Sequence, residues 1–163
     1  HDTLTLGALL DACAREGSWR HALGLLTEFR RRAVRPDLVA CNSAISACAT
    51  GHSWQHAYEL LRKMAQGSLS PDAITYNATI SACSRGSEWK CGLALLAQMN
   101  ARGIAPNAVT RNAAVAACAA GAQWPMALGF LLLKEPHAGS PDLVGCNTLL
   151  SAFERSGAWP SAL

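Results

Sequence analysis

The chain has 163 residues, half of them hydrophobic, which fits a single domain with ample material for a core. Charged residues make up only 15% and the net charge is +3. That balance excludes a disordered chain and a nucleic-acid binder held mainly by charge, and the mild basicity is merely compatible with RNA.

Tandem repetition organises the whole chain. Trp19, Trp54, Trp89, Trp124 and Trp159 are its five tryptophans, each 35 residues after the last. Pro36, Pro71, Pro106 and Pro141 keep that spacing, as do Asn42, Asn77, Asn112 and Asn147. Cys13, Cys48, Cys83 and Cys118 do too, with Phe153 in the fifth place and an alanine before every member. The units therefore run 3–37, 38–72, 73–107 and 108–142, with a partial unit at 143–163, all in one repeat domain. The chain opens on His1 and stops at Leu163, and both ends read as cuts from a longer protein. No apolar run reaches the ~18 residues of a membrane span, and no stretch reads as a signal or transit peptide.

In chain order, the first unit has Gly7 where the others have Asn, and its second helix ends in the basic cluster Arg30, Arg31, Arg32 and Arg35. A basic patch at a helix C-terminus is by default a solvated one. In the second unit, Pro36 and Pro71 stop helices and the Asp after each is a cap or turn residue. Small and apolar residues from Val39 to about Thr50 predict a first helix. Gly51-His52-Ser53 is a break. Trp54, Ala57, Leu60, Leu61 and Met64 recur at three- and four-residue steps, which predicts a second helix with one apolar face, ended by Gly67 and Pro71. The third and fourth units read alike, with Gly86 and Gly121 at the break, and the small-residue run from Ala113 to Gly121 suits a tightly packed helix. In the fourth unit Pro136 should end the second helix a turn early, and Lys134 stands where Met64 and Met99 do. The fifth unit keeps its first helix, Val144 to about Arg155. One hairpin cannot bury its own face, so the units should stack into an all-α solenoid. Each tryptophan is expected to pack between the two helices of its own unit.

The openings Leu38-Val-Ala-Cys-Asn42 and Ala73-Ile-Thr-Tyr-Asn77, the late Met64 and Met99, and the closing Pro-Asp resemble the pentatricopeptide repeat over nearly the whole chain. The tetratricopeptide repeat, at about 34 residues, lacks the Asn opening and places Trp differently. The resemblance implies a right-handed superhelix whose first helices line a concave face, and sequence-specific binding of single-stranded RNA, one base per repeat. It assigns the base edge to the fifth residue, Gly7, Asn42, Asn77, Asn112 or Asn147, and to the last residue, Asp37, Asp72, Asn107 or Asp142. It assigns the sandwiching of neighbouring bases to Leu4, Val39, Ile74, Val109 and Val144, and phosphate contact to Arg15, Arg85 and Arg155. By the family's rule Asn with Asp favours uracil, and Asn with Asn a pyrimidine. The expected partner is single-stranded RNA with the core 5′-U-(C/U)-U-3′, running parallel to the chain. Other RNA-processing proteins are further expected partners, and a membrane is not. Organellar RNA processing, stability, translation or editing is the implied setting, in a mitochondrion or plastid.

Each column has a plainer reading. The Asn column could satisfy backbone groups near a helix start. The Asp column could cap helices, meet bases, or do both. Val39, Ile74 and Val109 could be packing residues. A peptide-binding scaffold is the alternative function, and a structural spacer a third. The register cysteines read as small hydrophobes, and Cys41, Cys91 and Cys146 show no ligand spacing. His52 and His56 lie four apart without a third ligand, so two solvated histidines are expected. No nucleophile elbow, phosphate loop, metal cluster or carboxylate pair stands out, so neither cofactor, metal nor enzymatic activity is expected.

Overall fold

The computed structural model describes residues 2–121, 123–132 and 143–156, and every regular element among them is an α-helix. In order these are α1 (Asp2–Glu16), α2 (Trp19–Arg31), α3 (Leu38–Thr50), α4 (Trp54–Gln66), α5 (Ala73–Arg85), α6 (Trp89–Ala101), α7 (Ala108–Ala120), α8 (Trp124–Leu132) and α9 (Leu143–Ser156). The predicted boundaries of α3, α4 and α9 hold to within a residue or two. Lys134 and Pro136 lie outside the described residues. The odd-numbered helices pack side by side in sequence order and form one layer. Each even-numbered helix packs on the first helix of its own hairpin and on that of the next. The result is an α-solenoid.

The starts of the inner-layer helices follow from their caps. Asp37, Asp72 and Asn107 have extended backbones, and their side chains accept from the N–H of Ala40, Thr75 and Thr110 at 2.8, 2.9 and 3.0 Å. The Thr75 and Thr110 hydroxyls accept in return from the N–H of Asp72 and Asn107, at 3.2 and 3.1 Å, which completes a capping box. Ala40 has no hydroxyl, so α3 starts on the single cap bond.

The ends are equally regular. The carbonyls of Cys13, Cys48, Cys83 and Cys118 accept from the N–H five residues on, at 3.0, 2.8, 2.9 and 2.8 Å. This closure needs a left-handed residue just before the donor, and Gly17, His52 and Ser87 adopt φ of 70°, 56° and 58°. His52 and Ser87 take this conformation with a Cβ, at a cost of about 1–2 kcal/mol each.

Burial differs between the layers. α3 buries Ala40, Cys41, Ala44, Ile45, Ala47, Cys48 and Ala49, because neighbours cover it on several sides. Only small side chains allow that, since close packing tolerates neither voids nor excess volume. α4 buries one stripe, Ala57, Leu60, Leu61 and Met64. Phe153 fills the fifth Cys position and is buried. Burial raises the Cys48 and Cys118 thiols to about 11, which suits hydrophobic filler.

Trp19, Trp54 and Trp89 reach beyond their own units, and the side chains of Trp124 and Trp159 lie outside the described residues. Trp19 lies against Gly51, Trp54 against Gly86 and Trp89 against Gly121, so each indole reaches the end of the first helix of the following hairpin. A Cβ at any of these glycines would collide with the indole. Their φ values of −84°, −85° and −85° suit any residue. Close approach of the ring, and not backbone conformation, is what requires glycine there. Indole and glycine thus form the joint between hairpins. At the first joint His56 is not solvated as expected: it stacks on Trp19 with centroids 4.6 Å apart, and its Nδ1 shares a 2.8 Å hydrogen bond with the Ser53 hydroxyl.

Candidate nucleic-acid interface

Side chains of the inner layer project two kinds of group from one face. The first is aliphatic. Val39, Ile74 and Val109 are 66%, 62% and 58% exposed, the three most exposed large hydrophobic side chains among the described residues. All three are the second residue of their helix, so the caps at Asp37, Asp72 and Asn107 set their position. Packing does not account for them, and their recurrence in one register separates them from scattered surface apolar residues.

The second is polar and spans adjacent hairpins. The Asn42 amide Nδ2 donates to Asp72 Oδ1 at 3.4 Å, and the Thr75 hydroxyl lies 2.7 Å from Asn42 Oδ1 and 2.8 Å from Asp72 Oδ1. The next junction repeats the arrangement. Asn77 Nδ2 donates to Asn107 Oδ1 at 3.4 Å, and the Thr110 hydroxyl lies 2.6 Å from Asn77 Oδ1 and 3.0 Å from Asn107 Oδ1. At Asn42 and Asn77 the amide meets side chains of the following hairpin. It binds the cap of the next helix. Asp37 makes its cap bond and faces a register position, Gly7, without an amide.

The electrostatics follow from these bonds. Burial works to raise the Asp72 pKa, but the Thr75 N–H, the Thr75 hydroxyl and the Asn42 amide outweigh it and hold the carboxyl below its ordinary value. All three hydrogen bonds reach Oδ1, so Oδ2 stands as an open acceptor. At Asn107 the same bonds occupy Oδ1, so its Nδ2 stands as an open donor. Equivalent junctions thus present opposite hydrogen-bonding groups.

A groove of about 460 Å³ brings two of the aliphatic residues and one of the amides together. Val39 and Ile74 line it together with Asn42, and Arg15 and Asp11 stand on its α1 side. Arg85 is exposed at the matching place on α5. Asn112 is half-buried on α7 and Asn147 exposed on α9. Leu4 lies in α1, Val144 and Arg155 lie in α9, and Asp142 is outside the described residues.

Two contacts had no counterpart in the sequence reading. Thr75 and Thr110 join the polar groups across 33 residues. Cys83 and Cys91 hydrogen-bond across the turn between α5 and α6, and that bond raises the first thiol and lowers the second. Among the described residues no group of three metal-ligating side chains occurs, and no helix is long and apolar enough to cross a membrane.

Comparison with known proteins gives this arrangement a family. The PPR repeat model matches residues 4–34 and 74–104, and the PPR repeat family model matches residues 36–85. The chain belongs to the pentatricopeptide repeat (PPR) family. Among solved structures, it is 29% identical to PPR10 in complex with an 18-nt psaJ RNA element, with a TM-score of 0.81. That match covers 99% of the present chain and 24% of PPR10. A crystal structure of PPR10 from maize matches at 20% identity and a TM-score of 0.78, again over 99% of this chain and 24% of that one. The PPR domain of Arabidopsis thaliana protein-only RNase P 1, in complex with tRNA, matches at 18% identity and a TM-score of 0.77, over 98% of this chain and 84% of that one. These last two likenesses show the fold. The chain spans about a quarter of the length of PPR10. No curated protein sequence matches it.

Proposed function

We propose that this PPR chain binds single-stranded RNA along its inner helical layer and reads one base at each junction between hairpins. The observation that carries the proposal is the recurrence, at 35-residue spacing, of an exposed aliphatic residue beside an ordered amide–cap pair. A base slotted between Val39 and Ile74 gains apolar contact on both faces, which is indifferent to sequence. Its edge then meets Asn42 and Asp72. Uracil offers N3–H as a donor between two carbonyl oxygens, which suits the open Asp72 Oδ2 with the amide proton of Asn42 beside it. Cytosine offers N3 as an acceptor, which suits the open Asn107 Nδ2. Asn112 with Asp142 repeats the first pairing, which gives the core 5′-U-(C/U)-U-3′. The junction of Gly7 with Asp37 supplies stacking on Leu4 and Val39 without an amide. Val109 and Val144 sandwich the third base. Arg15, Arg85 and Arg155 meet phosphates, which positions the strand and carries no sequence information. Organellar RNA metabolism, in a mitochondrion or plastid, is the setting that the family resemblance supports.

Fluorescence anisotropy with short RNAs tests the reading. Cores of UCU and UUU are compared with AAA and GGG, on the parent chain and with Asn42, Asn77 and Asn112 each changed to Ala. Pyrimidine preference that each change weakens is the expected result. Binding indifferent to sequence and to those changes, or no binding, refutes base reading and leaves a peptide scaffold as the better account.

A further inference from the structure

We propose that Thr75 and Thr110 are positioning residues that set base selectivity, each by fixing the amide of the Asn one hairpin earlier. The inference rests on the RNA-binding reading and adds a determinant to it that belongs to the neighbouring hairpin.

An asparagine amide presents a donor on one side and an acceptor on the other, and rotation by half a turn exchanges them. An Asn free to rotate would accept either pyrimidine equally well. Two partners remove that freedom at Asn42. The Thr75 hydroxyl sits 2.7 Å from Oδ1, and Asp72 Oδ1 takes Nδ2 at 3.4 Å. The first contact is short and the second long, so the hydroxyl supplies most of the restraint. Rotating the amide would also bring its oxygen against the Asp72 carboxylate.

The hydroxyl is itself held in place. Thr75 Oγ1 accepts from the Asp72 N–H at 3.2 Å, and the residue is fully buried. With one lone pair occupied, its proton points into the space between Asn42 Oδ1 and Asp72 Oδ1. Buried threonine thus converts the helix cap of one hairpin into a fixed orientation of the amide on the previous one. Thr110 does the same for Asn77, with contacts of 2.6 Å to its Oδ1 and 3.1 Å from the Asn107 N–H. Where the register lacks the amide, at Gly7, it also lacks the hydroxyl, at Ala40, whereas Asn112 is followed in that register by Gly145, which has none.

The test measures discrimination, which a purely structural role would not move. Thr75→Val removes the hydroxyl and keeps the shape, and Thr75→Ser keeps the hydroxyl. RNAs differing only at the base opposite Asn42 are titrated in the full chain. The ratio of dissociation constants for C over U should fall about three- to tenfold in T75V, the range expected for one hydrogen bond. T75S should restore it, and discrimination opposite Asn77 should stay as in the parent. Thr110→Val should give the mirror result, with its loss opposite Asn77 only. It serves as the decisive variant if T75V does not fold, as judged by circular dichroism. Unchanged discrimination in a folded Val variant, or loss at both positions alike, overturns the proposal while leaving RNA binding intact. A parent chain without pyrimidine preference overturns the RNA reading itself, and this inference with it.

Discussion

Replacing Gly86 with alanine tests the account of the joint, because two effects of known sign oppose each other. The backbone at Gly86 has φ of −85°, which alanine adopts freely. Judged on conformational entropy alone, Gly→Ala should stabilise by about 0.4–1 kcal/mol. The new methyl, however, would collide with the indole of Trp54, with ring atoms Cγ and Nε1 only 3.0 and 3.1 Å away. Overpacking of that kind costs about 1–3 kcal/mol. The net expectation is destabilisation by about 1–2 kcal/mol, or about 2–8 °C in melting temperature for a chain of this size. Gly24→Ala is the control, since nothing lies within 4 Å of a Cβ there, and it should stabilise. Thermal and urea unfolding followed by circular dichroism give both numbers. A double-mutant cycle with Trp54→Ala isolates the clash, because G86A should turn neutral or stabilising once the ring is gone. If G86A stabilises the parent chain as much as G24A does, the indole does not occupy the joint and the reasoning fails.

Four further expectations follow from the same geometry. Asp72→Asn should convert the first junction to the type found at Asn107 and move its preference from U towards C by about tenfold, read by anisotropy with RNAs changed at that base. The low pKa of Asp72 has a defined pH consequence. A carboxyl depressed on folding contributes stability in full above its unfolded pKa of about 3.9 and loses it as pH falls through the lower folded value. The melting-temperature gap between parent and D72N should therefore be constant above about pH 5 and shrink on acidification below pH 4. Contact of Arg15, Arg85 and Arg155 with phosphate predicts a shallow salt dependence, a log–log slope near −2. Arg15→Gln or Arg85→Gln should each remove about 0.7 from it. Among Cys41, Cys48, Cys83, Cys91 and Cys118, iodoacetamide should modify Cys91 first, since it is the only one of these whose thiol is held below its ordinary value. Mass spectrometry of partially alkylated protein reads that order.

Sequence reasoning reached different depths in different parts of the molecule. Helix positions were legible because Pro36, Pro71 and Pro106 and the residues after them act locally, through caps. The stripe Ala57, Leu60, Leu61 and Met64 was legible because burial of a single face leaves a three- and four-residue rhythm. α3 leaves no such rhythm, since it is covered on several sides, and small-residue content had to stand in for it. The tryptophan joint was not legible. An indole at the start of a helix has the same spacing whether it meets its own hairpin or the next, and Gly51, Gly86 and Gly121 look like ordinary breaks. The exposure of Val39, Ile74 and Val109 was legible only through the family resemblance, because periodicity alone also fits aliphatic residues packed in a core. The roles of Thr75 and Thr110 depend on contacts 33 residues away that no local pattern encodes, and the Cys83–Cys91 contact depends on the geometry of one hairpin turn.

The hydrogen-bonded groups at the Asn42 and Asn77 junctions draw their members from two hairpins: the amide from one, and the cap and threonine from the next. The indole and glycine of each joint are divided in the same way. The 35-residue unit is therefore a unit of spelling but not of assembly. Cutting the chain between Asp72 and Ala73 leaves a cap without its helix and an amide without its threonine. Cutting at the hairpin turn after Gly51 or Gly86 leaves the cap with its helix but parts Asn42 or Asn77 from the cap and threonine of the next hairpin. Every cut between two such helices therefore breaks one junction, and a graft or a lengthened array has to rebuild it from residues on both sides of the seam.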